Sequence, residues 1–360
     1  MSSLNISMNN SNINSKLTGF ITNDEHQKNH EYPKNDWTYT HPERPDRVSV
    51  PHKYIMETVK DLKVLDIQKY EETLLKGTSK NYMDTLEKYS KQSKEIDSDT
   101  YCCFGTVEAS NTAVYSNLTM LKSIINKQVK NGLVLSRPPG HHASFAHSSG
   151  FCIHNNITYV ANECLKNGLR PVIVDWDIHH GDGTQKDFYD NPDVLFISIH
   201  RDTKTFYPYK GGNITETGKG KARGTTINIP FGKSKNDSDY LLAIDEIVLP
   251  VIKNFKADII LVSCGFDAHH TDPLTRDHKD GMKLTSEVYG QMTERLMSYT
   301  DNILVSLEGG YSIQAIKEGS VAILNALQGK KKFNINEKKP MKRTIKKIEL
   351  VKDIVFNKKE

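Results

Sequence analysis

From about residue 130 onward the chain alternates short β-branched runs with helical patterns: strand 132-136, helix 155-167, strand 171-175, strand 194-199, strand 225-229, helix 237-254, strand 258-263, helix 284-298, strand 302-306 and helix 312-328. Such alternation predicts an α/β chain, a parallel sheet with helices on both faces. Open sheets of this kind bind ligands at the carboxyl ends of their strands. The residues just after each apolar run therefore matter most.

After Pro171-Val-Ile-Val-Asp175 come Asp177 and His179, one residue apart, and after Ile259-Ile-Leu-Val-Ser-Cys-Gly-Phe266 comes Asp267. An Asp-x-His step at a strand end aims both side chains into the crevice, and Asp267 can arrive from a neighbouring strand. Two carboxylates and one imidazole suit Zn²⁺ and leave a fourth position open, the mark of a catalytic rather than a structural site. Taken alone, an Asp-x-His is more often a solvated loop. Here a third run, Leu133-Val-Leu-Ser136, leads into Arg137-Pro-Pro-Gly-His141-His142-Ala143, and two further carboxylates, Asp175 and Asp182, flank the metal candidates. A metal that activates water needs a base, an acid and acceptors that orient the imidazoles, and all are present.

These blocks, with Gly150-Phe-Cys152, Val174-Asp-Trp-Asp-Ile-His-His-Gly-Asp-Gly-Thr-Gln185, Gly265-Phe-Asp-Ala-His269, Asp272-Pro-Leu274 and Glu308-Gly-Gly-Tyr311, resemble the zinc-dependent histone deacetylase family, which includes acetylpolyamine amidohydrolases and acetoin-utilisation proteins. The resemblance spans roughly residues 20 to 328 in the family's order and spacing. Trp176, Ser198-Ile-His-Arg201 and Phe206-Tyr-Pro208 lean toward its class II branch. It implies a single-domain three-layer α/β/α architecture with a mostly parallel central sheet, the arginase/deacetylase fold.

The resemblance also implies roles. Asp177, His179 and Asp267 would hold one Zn²⁺; His142 would handle the proton of water and leaving amine, with His141 beside it on the electrostatic side; Asp175 and Asp182 would accept from the far imidazole nitrogens. Tyr311 would donate its hydroxyl to the developing oxyanion. Phe151 and Tyr207 would wall a narrow acyl-lysine tunnel, Gly150 would accept the substrate amide N–H, and Leu274 stands where an acidic gatekeeper would greet a polyamine's second cation. A potassium ion is implied at Asp175, Asp177, His179, Ser198 and Ile199. Tyr207 departs from the commoner Phe, and His154 from an apolar residue. Arginase-like binuclear enzymes need further carboxylates where Gly181 and His269 stand, which favours one metal.

A chain of 360 residues with 37% apolar content can bury one large core. Residues 1-16, rich in Asn and Ser, are expected to be disordered; 17-328 form the catalytic domain, with 50 to 128 mostly helical and the charged stretch 86-99 an exposed loop near the site mouth. No run approaches about 18 apolar residues and no hydrophobic signal core opens the chain, so no membrane partner is expected. Five cysteines without a Cys-x-x-Cys pair fit a reducing, intracellular setting, nucleus or cytoplasm.

Lys330 to Glu360 hold 12 Lys or Arg against 4 Asp or Glu, a net of +8; the whole chain is +4, leaving −4 for the rest. This tail, 329-360, can touch nucleic acid or an acidic partner, and Lys338-Lys-Pro-Met-Lys-Arg343 can pass for a nuclear import patch. The preferred reading is an amphipathic helix packed through Ile345, Ile348, Val351 and Val355, its lysines in water. Three functions stay open: an acetyl-lysine deacetylase acting on proteins or peptides such as histones, an amidohydrolase of acetylpolyamines or similar small amides, and an inactive acyl-lysine binding scaffold.

Overall fold

The computed structural model describes residues 17–33, 40–276, 281–330, 333 and 339–356. The segment expected to be disordered, 1-16, lies outside the described residues, as does Lys338 of the basic patch. Among the described residues there are ten strands: β1 Thr18–Thr22, β2 Leu62–Val64, β3 Lys94–Glu95, β4 Tyr101–Cys102, β5 Asn131–Leu135, β6 Pro171–Asp175, β7 Leu195–Arg201, β8 Thr226–Phe231, β9 Ile259–Cys264 and β10 Ile303–Leu307. Eight of them make one sheet in the order β2-β1-β5-β10-β9-β6-β7-β8, every pairing parallel, while β3 and β4 form a small antiparallel pair.

The helices are α1 Asp24–Gln27, α2 Asp46–Thr58, α3 Glu71–Lys76, α4 Lys80–Gln92, α5 Thr106–Ile125, α6 Asn156–Lys166, α7 Asp182–Phe188, α8 Asp237–Ala243, α9 Leu249–Phe255, α10 Pro273–Arg276, α11 Ser286–Met297, α12 Ile313–Leu327 and α13 Lys342–Phe356. Alternate strand residues feed two cores. Val172 and Val174, Ile260 and Val262, and Ile303 and Val305 join one; Ile173, Leu261 and Leu304 join the other, with residues of α5 and α6. Each fully buried Val, Leu or Ile contributes about 1.5–3 kcal/mol by leaving water, so a sheet covered on both faces needs these unbroken apolar runs.

Three expectations change. Residues 86–92 belong to α4, where Met83, Leu86 and Ser90 are buried in one stripe and the charges occupy its solvent face; after it come β3 and a turn that leads to Asp99. The helix expected over 237-254 is broken by a π-helical turn, Ile244–Val248, before α9. Pro250 explains it: with no N–H to donate and a ring that crowds the preceding turn, proline is accommodated where the helix widens. In α13, Ile348 and Val351 are buried and Val355 packs on the core, but Ile345 is 41% exposed and Thr344 takes the inner position.

β1 and β2, which no apolar run announced, complete one edge of the sheet. All five cysteines are buried and unbridged. Among the described residues no helix is long and apolar enough to cross a membrane.

Candidate active site

Four adjacent strands, β5, β10, β9 and β6, end side by side, and the residues beyond those ends build the site. Past β6, Asp177 is fully buried; its Oδ1 accepts from the backbone N–H of His179 at 2.8 Å, curling the chain so that both side chains face inward. Past β9, Asp267 Oδ1 accepts from Ile178 N at 2.9 Å, stitching the two strand ends together. His179 Nδ1 then lies 3.0 Å from Asp177 Oδ1 and 3.1 Å from Asp267 Oδ2.

These three residues fit a metal ion. Their ligand atoms lie within 4.8 Å of one another, and Zn–N and Zn–O bonds of roughly 2.0–2.2 Å in tetrahedral array need ligand atoms about 3.3–3.5 Å apart. The electrostatics agree. Burial and the neighbouring Asp177 raise the Asp267 pKa, while His179, despite burial, is raised to about 10 by its hydrogen bonds to Asp177 and Asp267. Two buried carboxylates sharing one imidazole are a centre that a cation relieves. Among the described residues this is the one such group of three.

His141 and His142 emerge past β5 with ring centroids 4.1 Å apart. His142 Nδ1 donates to Asp182 Oδ1 at 2.7 Å, which leaves Nε2 as its acceptor; His141 Nδ1 pairs with Asp175 Oδ2 at 3.0 Å. Burial lowers the His142 pKa to about 3, and neighbouring His141 pushes the same way. Burial opposes charge on His141 too, yet Asp177 and Asp175 hold its pKa well above the ordinary value. Adjacent imidazoles driven apart in this way stay one neutral and one charged.

Tyr311 follows β10 on a turn whose glycines are required by contact: a Cβ on Gly309 would overlap the carboxylates of Asp267 and Asp177. Its N–H donates to Asp272 Oδ2 at 2.7 Å, and the Arg47 guanidinium lies 4.8 Å from its ring centre. Burial pushes the hydroxyl's pKa well above the usual range, so it remains a donor.

A cavity of about 600 Å³ opens onto this centre, lined by His141, His142, His179 and Tyr311 and by Gly150, Phe151, Tyr207 and Leu274. Phe151 meets Tyr311 edge to face at 5.6 Å, and Tyr207 meets His142 at 5.0 Å. Gly150 has φ +55°, and a Cβ there would lie 2.7 Å from the His142 ring and 2.8 Å from the Tyr207 hydroxyl. Ser198 stands opposite Asp175 in the β6–β7 register, its hydroxyl 2.8 Å from His200 Nδ1. His154 is buried beside Asn111, away from the metal candidates. A slightly larger cleft, about 680 Å³, lies at the opposite end of the sheet near Val129, Ile259 and Asn302, far from this chemistry.

Several residues here were not singled out from sequence. Asp99 lines the cavity mouth, its pKa raised to about 6 by burial and by Asp97. Lys210 Nζ reaches Asp182 Oδ2 at 3.0 Å. Arg47 donates to the carbonyls of Gly310 at 2.6 Å and Glu308 at 2.5 Å, and is itself held by Glu43 at 3.0 Å. Glu43 also takes two hydrogen bonds from Arg137, both 2.5 Å. The clue was the charge density of His41-Pro-Glu-Arg-Pro-Asp-Arg47 ahead of a helix, which no periodicity marks as buried.

Removing Glu43 strands two buried guanidinium groups. Glu43→Ala is expected to lower stability by about 3–5 kcal/mol, the usual cost of breaking a buried ion pair from one side. Urea unfolding measures it, and an unchanged midpoint would contradict the buried network.

The profile described as the histone deacetylase domain matches residues 41–327. A probable deacetylase of Archaeoglobus fulgidus is 34% identical over 87% of this chain and 87% of its own length. Histone deacetylase HDA1 of Candida albicans is 39% identical over 71% of this chain, and histone deacetylase clr3 of Schizosaccharomyces pombe 36% over 72%; the matched region spans only 30% and 39% of those longer proteins. The crystal structure of the HDA15 HD domain superposes with a TM-score of 0.87 at 29% identity, over 96% of both chains. With the profile covering most of its length and the fold in agreement, this chain belongs to the histone deacetylase family and is a hydrolase of the deacetylase type.

Proposed function

We propose that the chain hydrolyses the acetyl amide of N6-acetyl-lysine in proteins or peptides, histones among them, releasing acetate. The observation that carries this reading is the cavity itself: aromatic walls from Phe151, Phe206 and Tyr207 lead to a buried centre where His142, His179 and Tyr311 face the same space. Such walls suit an aliphatic stem bearing a small amide.

Asp177, His179 and Asp267 would hold one Zn²⁺, which supplies Lewis acidity toward the acyl carbonyl and toward water. Every other task falls to side chains. His142, neutral and with Nε2 free of the Asp182 bond, takes a proton from water and returns it to the leaving amine. His141, held by Asp175, contributes positive charge beside it. Tyr311 donates its hydroxyl to the oxyanion, and Gly150 offers its carbonyl to the substrate N–H. A potassium ion at Asp175, Asp177, His179, Ser198 and Ile199 would brace the end of β6. The buried, unbridged thiols suit an intracellular setting.

Asp99 keeps the acetylpolyamine reading in view, because a carboxylate at the mouth can accept from a peptide N–H or from a second ammonium. Leu274, apolar at the same mouth, speaks against a dedicated polyamine gate. Turnover of acetyl-lysine peptides compared with acetylspermidine decides between them: we expect higher kcat/KM on the peptides, and the reverse order would assign the chain to small amides. Binding of both without turnover would make it a scaffold.

Tyr311→Phe tests the oxyanion role. We expect kcat to fall by about 10² to 10³ with KM little changed, since the donor acts chiefly in the transition state. A trifluoroacetyl-lysine substrate, more electrophilic and less dependent on that donor, should lose less. Equal losses on both substrates, or a change confined to KM, would reduce Tyr311 to a tunnel wall.

A further inference from the structure

Glu308 is fully buried, and among the described residues its carboxylate forms no salt bridge. What it has instead is three hydrogen bonds. Oε2 accepts from the backbone N–H groups of Gly140 at 2.7 Å and His141 at 3.1 Å, and Oε1 accepts from Ser263 Oγ at 3.1 Å.

The sheet cannot satisfy those two N–H groups. Pairing between β5 and β10 runs from Asn131–Ile303 to Val134–Ser306 and stops there. Gly140 and His141 lie beyond it in a buried turn, where an unpartnered N–H is costly. The Glu308 side chain reaches across from the end of β10 and extends the connection between the two strands by another means.

The same residue is fixed at its backbone. Its N–H donates to Cys264 O at 2.9 Å and its carbonyl accepts from Arg47 at 2.5 Å. The next three residues are tied down in turn: Gly309 N donates to Asp177 Oδ2 at 2.9 Å, Gly310 O accepts from Arg47 at 2.6 Å, and Tyr311 N donates to Asp272 Oδ2 at 2.7 Å. The turn that carries Tyr311 is therefore tied at every residue, and Glu308 is the member of it that holds the backbone of Gly140 and His141.

We propose that Glu308 is a positioning residue for the His141–His142 pair, setting through the backbone of Gly140 and His141 where the imidazoles stand relative to the Tyr311 turn. The inference rests on the proton-transfer role proposed for His142. Glu308 exchanges no proton with substrate; its carboxylate acts as a fixed acceptor. Its reach therefore matters more than its charge, which ranks behind Asp177 and Asp175 in its pull on His141.

That distinction gives the test. Glu308→Gln keeps the reach: its amide oxygen can accept from both N–H groups while its NH₂ donates to Ser263 Oγ, which can also accept. Glu308→Asp keeps the charge but withdraws the oxygens by one methylene. In the zinc-loaded full chain acting on an acetyl-lysine peptide, we expect Glu308→Gln to retain kcat within about threefold. Glu308→Asp should lose about 10- to 100-fold, in line with the roughly 10²-fold that a 1 Å misplacement can cost. KM and zinc content should stay near wild type in both.

In a His142→Ala background, Glu308→Asp should cost much less than it does in the wild-type chain, because His142, the member of the pair proposed to carry the proton, is gone. A Gln variant that falls as far as the Asp variant would overturn the proposal in favour of charge. A full loss for Glu308→Asp on top of His142→Ala would overturn it in favour of general structural damage. His142→Ala alone at wild-type rate would instead remove the underlying role of His142, an outcome visible in the same series.

Discussion

Asp267→Ala and His179→Ala are expected to leave the protein without stoichiometric zinc and without measurable turnover. With Asp177 they form the group of three whose ligand atoms lie within 4.8 Å, and loss of one ligand in three leaves an incomplete coordination shell. The two substitutions fail for different reasons. His179→Ala takes away the imidazole and leaves Asp177 and Asp267, both fully buried, without the group that now bridges them. Asp267→Ala also removes the acceptor for Ile178 N, so the loop after β6 loses its tie to β9. Metal analysis of the purified variants beside a turnover assay checks both. Full zinc content with unchanged turnover in either would take the site out of consideration.

His142→Ala should separate chemistry from metal binding. Its ring lies 5.8 Å, centre to centre, from His179 and its Nδ1 is committed to Asp182 at 2.7 Å, so its loss removes the proposed proton carrier and leaves Asp177, His179 and Asp267 their own contacts. Positioned general acid–base groups contribute about 10² to 10⁴ in rate, and kcat should fall by at least about 10² with zinc retained. Burial and the neighbouring His141 lower the His142 pKa, so the imidazole is neutral before it meets water, the protonation state a base requires. A variant that turns over at the wild-type rate across pH 6 to 9 would place the base elsewhere.

The sequence speaks clearly where local pattern and tertiary position coincide. Val172, Ile173 and Val174, and Ile260, Leu261 and Val262, are buried on both sheet faces, so their runs are unbroken and their ends are sharp. Asp177, His179 and Asp267 follow those ends directly and are legible as a group in the sequence. Where the determinant is tertiary, the pattern is silent. β1 is five residues, with threonine at both ends and a glycine, Gly19, against Met120, so nothing in it outweighs a loop. Arg47, Glu43 and Arg137 are charged residues fully buried only because they face one another across long sequence separations. Lys210 meets Asp182 through a loop with no periodicity, and nothing in the local pattern of Glu308-Gly-Gly-Tyr311 shows that Glu308 reaches across to Gly140.

The charged segment before Asp99 shows the opposite error. Its charge suggests a loop, whereas Met83, Leu86 and Ser90 form the buried stripe of a helix. The basic tail repeats the lesson: α13 keeps Ile348 and Val351 inward and most of its lysines outward, but its exact face depends on packing that placed Thr344 in the interior and Ile345 in water.

The most direct measurement is turnover of one acetyl-lysine peptide by the purified full chain, first stripped of metal and then titrated with Zn²⁺. Activity should vanish on stripping and return in full at one equivalent per chain, with acetate as product. Turnover that survives stripping, or a zinc-loaded protein that binds the peptide and releases no acetate, would contradict a zinc-dependent deacetylase built on Asp177, His179 and Asp267.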